Sequence, residues 1–305
     1  MTPPSRVARA SNRKRRQLLL TLVLAVIALI AVFGAAWLWV GQRPPVREVA
    51  SQSGEVKGLL DLVTVGGRPG APPVVGVPAP VEVGSLKVAE VEAGTGRVIE
   101  ENRPVVAQVH RFSGRDGRAL DSGKFVMGQA CADDLGPELS HLVMGRTEGT
   151  RLLVLRPVGD DTEVVIVDLL PTVAPGTEVG QQDGPLSVAL NAEGPVITHR
   201  PGEPPANLVV QQLLRGDGPQ VHMGDQVLAQ FLLARWGDGV VVTNTWGEGL
   251  PQVNEVDELW PGLRDALVDQ RVGSRIAVTI PADLANGDDT IVAVIDILGT
   301  ITPSD

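Results

Sequence analysis

The chain repeats itself, and the repeat limits what it can fold into. The stretches "VVAQVHRFSGRDG" (105–117) and "VLAQFLLARWGDG" (227–239) share Val, Ala-Gln and Asp-Gly at an offset of 122. The same offset aligns "GTG" (94–96) with "GDG" (216–218) and Pro73-Val74-Val75 with Pro195-Val196-Ile197. Further on, "EGTRLLVLRP" (148–157) matches "VGSRIAVTIP" (272–281) at offset 124, and "VIVDLL" (165–170) matches "AVIDIL" (293–298) at offset 128. An offset that grows in small steps is what loop insertions in a duplicated domain produce. A unit of ~120 residues is too long for a solenoid repeat and suits a globular domain. The reading is therefore two like domains in tandem, 58–172 and 185–305, joined by a linker over 173–184.

Each copy reads mostly as strands. In "RIAVTI" (275–280) Ile276, Val278 and Ile280 alternate with Arg275, Ala277 and Thr279, the period of a half-buried strand. "TIVAVIDIL" (290–298) is apolar on both faces up to Asp296 and fits a central strand. The helix candidate is "LWPGLRDALV" (259–268): Pro261 is tolerated only in a first turn, and Trp260, Leu263 and Leu267 then fall on one stripe. A short helix on an antiparallel sheet gives an α+β fold class.

The charge is divided along the chain. Residues 1–48 carry eight Lys or Arg against Glu48 alone, while the rest holds 18 basic and 35 acidic residues. So acidic a body repels phosphates, which argues against a nucleic-acid partner. Four Phe, five Trp and no Tyr leave few stacking platforms. The single Cys131 excludes an intrachain disulfide and Cys-cluster zinc sites, and reads as a small buried hydrophobe. His110, His141, His199 and His222 show no metal-ligand spacing and read as surface or capping residues, so no metal and no cofactor are expected. The pairs Asp133-Asp134, Asp160-Asp161 and Asp288-Asp289 read as solvated loop residues, and Asn286-Gly287 as a tight turn.

Leu18 to Val40 is an uncharged apolar run of 23 residues, enough at ~1.5 Å per residue to cross a ~30 Å hydrocarbon core. The basic tail 1–17 before it places the N-terminus in the cytoplasm and the remainder outside the cell membrane. A cleavable signal peptide is the competing reading, but its apolar region runs ~7–15 residues and a small-residue cleavage site would follow. Residues 41–57 lack apolar periodicity and read as a flexible tether.

The order of these parts resembles the FKBP-type peptidyl-prolyl isomerases. The second copy has Gly224-Asp225, the strand "QVLAQF", Asp238-Gly239, "WPGLRDAL", "VGSRIAVTIPADLANG" and "TIVAVIDIL" in the family's sequence. The match covers about 224–299; the first copy, about 94–172, is weaker and is supported by the repeat. The resemblance implies a shallow apolar pocket between helix and sheet that takes an X-Pro segment, with no acid, base or metal. Such a site works by walls. It grips the ring and desolvates an amide whose rotation costs ~18–20 kcal/mol.

Carried over residue by residue, those walls are partly replaced. Phe231 stands at the family's strand-end Tyr, and Val242 with Thr243 where the family has Phe-Asp. Leu259 and Trp260 precede the helix, and the family holds the peptide by the second of those backbone N–H groups. Leu263 replaces the floor Trp, Asn286 the donating loop Tyr and Ala293 a Phe on the last strand. The first copy keeps Asp121, within Leu120-Asp121-Ser122, and has Val109, Leu139 and Val165 at the Tyr, Trp and Phe positions. Phe231 and Trp260 are thus the candidate pocket aromatics, with Val242, Leu259, Leu263, Asn286, Ala293 and Asp121 as candidate substrate contacts. Ordinary core packing is the alternative for Phe231 and Trp260 and the favoured reading for Leu263, Val242, Ala293, Leu139 and Val165.

Two functions follow from the resemblance. One is a weak isomerase acting on proline-containing segments of exported proteins, where slow X-Pro isomerisation limits folding. The other is a non-catalytic module that holds peptides or a partner protein in the same cleft. A cell-surface spacer is compatible with the acidic body, but no sequence feature points to it.

Overall fold

In a computed structural model, residues 53–180, 184–191 and 194–303 are described here. The basic tail, the apolar run Leu18 to Val40 and the tether up to residue 52 lie outside them. Among the described residues no helix is long and apolar enough to cross a membrane.

The described chain begins with a helix α1 (Ser53–Leu62) and a hairpin of β1 (Thr64–Gly66) and β2 (Val74–Gly76). Then come β3 (Lys87–Glu92), β4 (Pro104–Ser113), β5 (Lys124–Gln129), α2 (Ala132–Val143), β6 (Arg151–Val158) and β7 (Asp161–Leu170). The second half runs β8 (Thr177–Glu178), hairpin β9 (Leu186–Asn191) and β10 (Gly194–His199), β11 (Val209–Arg215) and β12 (Gln226–Arg235). It ends with β13 (Val241–Asn244), α3 (Thr245–Glu248), β14 (Gln252–Glu255), α4 (Pro261–Leu267), β15 (Arg275–Ile280) and β16 (Ile291–Ile301).

The two sheets have the same strand order. The first reads β3-β6-β7-β4-β5 and the second β8-β11-β15-β16-β12-β13, with β14 also on β12, and every pairing is antiparallel. Residues aligned by the sequence repeat therefore occupy the same places in two sheets of like topology. The leading glycines show why they recur. A Cβ on Gly94 would lie 2.2 Å from the Glu148 carbonyl oxygen, and one on Gly216 2.2 Å from that of Val272. In both halves the glycine N–H donates to a hydroxyl at 3.0 Å, Thr150 in the first and Ser274 in the second. The back hairpins repeat as well: β1 and β9 begin 122 residues apart and each pairs with the strand that follows it.

Alternation along the strands separates two faces. On the helix face of the first sheet Val105, Ala107, Leu152, Val167 and Leu169 pack with Leu135, Leu139 and Leu142 of α2. On the helix face of the second, Val227, Ala229, Phe231, Leu233 and Val278 pack with Leu263, Ala266 and Leu267 of α4. The back faces carry the hairpins. Leu59 and Val63 cover Phe112, Leu153 and Ile166, and Leu186, Val188 and Ile197 cover Leu232, Ala277 and Val294. The corners of the two sheets meet through Val106, Leu170, Leu228 and Leu298, with Phe125 and Met127 against them. Beside them the Gln108 amide donates to the Thr300 carbonyl at 3.3 Å.

Several expectations need correction. "RIAVTI" is buried on both faces, not half-buried, because β9 and β10 cover the side that carries Arg275, Ala277 and Thr279. The tether 41–57 gives way to helix at Ser53, since the residues that anchor α1, Leu59 and Val63, lie beyond the stretch read as featureless. The linker 173–184 contains β8, which pairs with Leu214 and Arg215. His110 is neither a surface nor a capping residue: its side chain lies on the back face of β4, 6% exposed. Asp133 and Asp134 sit in the first turn of α2, where helix N-termini favour carboxylates, and not in a loop.

Candidate functional site

The helix-face cleft of the second half is built around α4. Pro261 occupies N1, where a missing N–H is harmless, and Trp260 is the N-cap residue in extended backbone. The segment before it makes a single 3-10 turn, Val256–Glu258, closed by the Leu259 N–H on the Val256 carbonyl at 3.3 Å. The Trp260 carbonyl accepts from Arg264, but its own N–H has no acceptor among the described residues. Gly262 lets the helix approach β15 closely, for a Cβ there would lie 2.2 Å from Ile280 Cγ2.

Of the residues expected to line this cleft, the structure brings five together. Phe231, Leu263 and Ala293 share one buried cluster, and Leu259 and Trp260, both half-buried, pack against it. Phe231 and Leu263 are each 4% exposed and Ala293 is fully buried, so these three are core packing more than open wall. Val242 on β13 is 50% exposed and Asn286 is exposed with φ of 23°; both stand at the rim, outside the cluster. Phe231 is held from behind by its N–H on Thr245 Oγ1 at 2.8 Å, while that hydroxyl donates to Gln230 Oε1 at 2.5 Å.

In the first half the equivalent of Trp260 is Gly136, a non-helical residue (φ 76°) that breaks α2 before Pro137. The cleft there has no aromatic cap, only half-buried Val109, Leu135 and Leu139 over Val165. Asp121 turns to structure: its Oδ2 accepts from Arg111 Nε at 2.6 Å and its Oδ1 from the N–H groups of Arg111 and Gly123. Burial opposes the charged form of Asp121, but these hydrogen bonds outweigh it and hold the pKa below the usual carboxylate value.

Sequence reasoning missed two buried ion pairs on the opposite faces. Arg151 binds Asp168 side-on in the first half, both side chains fully buried, and Arg275 binds Asp296 in the second. The signal was in the repeat, because each half places one Arg and one Asp at matching points of otherwise apolar strands.

No family model matches the chain. A stretch of 101 residues is 29% identical to an FK506-binding protein of Streptomyces anulatus, covering 32% of this chain and 82% of that one. Among solved structures, the putative peptidyl-prolyl isomerase FKBP12 of Mycobacterium tuberculosis is 25% identical over 32% of this chain and 88% of its own, with a TM-score of 0.27. The three FKBP domains of wheat FKBP73 match 71% of this chain and 95% of theirs at 14% identity and a TM-score of 0.28. FkpA of Escherichia coli matches at 22% identity and a TM-score of 0.30 over 39% of this chain, which spans only 53% of the FkpA chain. The likeness to the Streptomyces protein and the strand order support the family of FKBP-type peptidyl-prolyl isomerases.

Proposed function

We propose that the chain is a membrane-anchored FKBP-type peptidyl-prolyl isomerase of low turnover. It acts outside the cell membrane on X-Pro bonds of exported proteins, through the cleft of its second half. One observation carries this reading: Trp260 lies half-buried on the Phe231 cluster, and its backbone N–H has no partner among the described residues. That combination offers an apolar face for a proline ring beside a donor for the neighbouring carbonyl. Holding the ring while the amide twists lowers the barrier without acid, base or metal. The anchoring and the orientation rest on Leu18 to Val40 and the basic tail before it.

The turnover is low because the walls are incomplete. Asn286 and Val242 stand exposed where the family places a Tyr and a Phe, and Ala293 supplies no ring. These same positions favour a second reading, in which the cleft holds X-Pro segments without turning them over.

Exchange spectroscopy on the full-length chain in lipid nanodiscs, with an Ala-Pro peptide, separates the two. Line broadening of cis and trans signals that grows with protein concentration supports catalysis; chemical-shift changes without exchange support binding alone. Protease added to intact cells after removal of the wall should digest the acidic body, and protection would reverse the orientation.

A further inference from the structure

The two buried ion pairs are the same interaction in two different surroundings, and the difference leaves a site. Arg151 uses all five of its N–H donors. Nε and Nη2 bind Asp168, the second Nη2 hydrogen goes to the Ala71 carbonyl at 2.8 Å, and Nη1 donates to the carbonyls of Gly66 and Gly67 at 3.1 and 2.7 Å. The Gly66 carbonyl ends β1, and those of Gly67 and Ala71 come from the loop that joins it to β2.

In the second half no such loop stands there among the described residues. β9 ends at Asn191 and β10 begins at Gly194, so the hairpin is too tight to reach back over the guanidinium. Arg275 binds Asp296 through Nε and Nη2 at 2.5 and 2.7 Å and has no other acceptor among the described residues. Its side chain is only 5% exposed, and it lines a groove of about 550 Å3 together with Leu186, Val188, Leu190, Gln211 and Leu213. A guanidinium so deeply buried with donors unused is costly unless something accepts from it.

We propose that this groove binds an extended peptide segment by its backbone, independently of the helix-face cleft. The first half supplies the template, since there peptide carbonyls complete the same Arg-Asp pair. A free anion fits less well, because Asp296 already neutralises Arg275 and would repel a second negative charge. The groove also offers a strand edge. Among the described residues β9 pairs with β10 alone, and at Leu186 its outer N–H and C=O are met by the side-chain amide of Gln211 at 3.0 and 3.2 Å. By the alternation of an antiparallel pair, Val188 and Leu190 turn the same groups outward, where an added strand would meet them. The apolar side chains of Leu186, Val188 and Leu213 then form the floor.

The test uses the full-length chain in nanodiscs and a fluorescent octapeptide, Thr-Val-Gly-Gly-Arg-Ala-Gly-Ala. This is the 64–71 cap with alanine for its proline, so that the X-Pro cleft has nothing to grip. Anisotropy should show saturable binding. Val188→Pro removes one outward N–H and keeps an apolar side chain; it should weaken binding about tenfold or more. Arg275→Lys keeps a charge for Asp296 but loses the fork, and should weaken binding as much. Should Arg275→Lys fail to fold, Val188→Pro decides alone. Absence of saturable binding, or equal affinity in a folded Val188→Pro protein, overturns the proposal.

Discussion

Arg275 and Asp296 meet side-on inside the second sheet, Nε to Oδ1 at 2.5 Å and Nη2 to Oδ2 at 2.7 Å, one residue on each of two neighbouring central strands. Asp296 Oδ2 also accepts from the Ala174 N–H at 2.8 Å, which ties the segment between the two halves to the sheet. The pair thus fixes two adjacent strands and the path of the chain into the second half.

Removing one partner should therefore be expensive. Asp296→Ala strands a buried guanidinium, and a loss of about 3–5 kcal/mol is expected. Urea unfolding of the variant beside the parent protein checks this; a loss under about 1 kcal/mol would show that water reaches Arg275 freely.

The corner between the halves gives a second expectation. Leu228 is fully buried among Val106, Leu170 and Leu298. Leu228→Ala should cost about 2–5 kcal/mol and lower the unfolding of both halves together. Calorimetry showing an unchanged transition for the first half would mean that the corner does not couple them.

His110 makes the stability of the first half depend on pH. Burial is the largest influence on it and keeps its pKa below the ordinary value of 6.5, against the pull of Asp168 and Asp121. The unfolded chain therefore binds the proton first. Stability contributed by the neutral ring is fully present above 6.5 and falls as the pH drops below it. His110→Leu, the residue found at the matching position 232, should flatten that part of the profile in melts between pH 5 and pH 7. An unchanged slope would place the titrating group elsewhere.

Gly262 sets the distance between α4 and β15. Gly262→Ala puts a methyl group 2.2 Å from Ile280 Cγ2, so the helix must shift or the side chain must turn. A loss of about 1–3 kcal/mol is expected. Because Trp260 caps this helix, its fluorescence should change with the same substitution.

The sequence repeat made the duplicated sheet legible, since glycines such as Gly94 and Gly216 recur where backbones touch. The strand "TIVAVIDIL" was also readable, because a strand buried on both faces is apolar throughout. The back hairpins were less so. β1 and β9 are short, and their pairing depends on which strands lie beneath them, which no local pattern states. Within the cleft, the core packing of Leu263 and Ala293 was legible, but Phe231 could be read as wall or core, and Val242, also read as core, is 50% exposed. Burial depends on how the smaller side chains let the walls collapse, and the exposure of Val242 and Asn286 on how the rim loops run. The unused donors of Arg275 became visible only beside the completed set of Arg151.

The central claim is that the cleft beneath Trp260 turns over X-Pro bonds slowly. A large apolar side chain against the ring contributes on the order of 1.5–3 kcal/mol, and each ~1.4 kcal/mol is a factor of ten in rate. With a Tyr donor and three rings replaced, at Asn286, Val242, Leu263 and Ala293, activity about a hundredfold or more below that of a fully aromatic FKBP-type isomerase is expected. The deciding measurement is a protease-free X-Pro isomerisation assay on the full-length chain and its Trp260→Ala variant, with near-UV circular dichroism to confirm folding. The account predicts weak catalysis in the parent and none in the folded variant. Turnover that survives Trp260→Ala would contradict it.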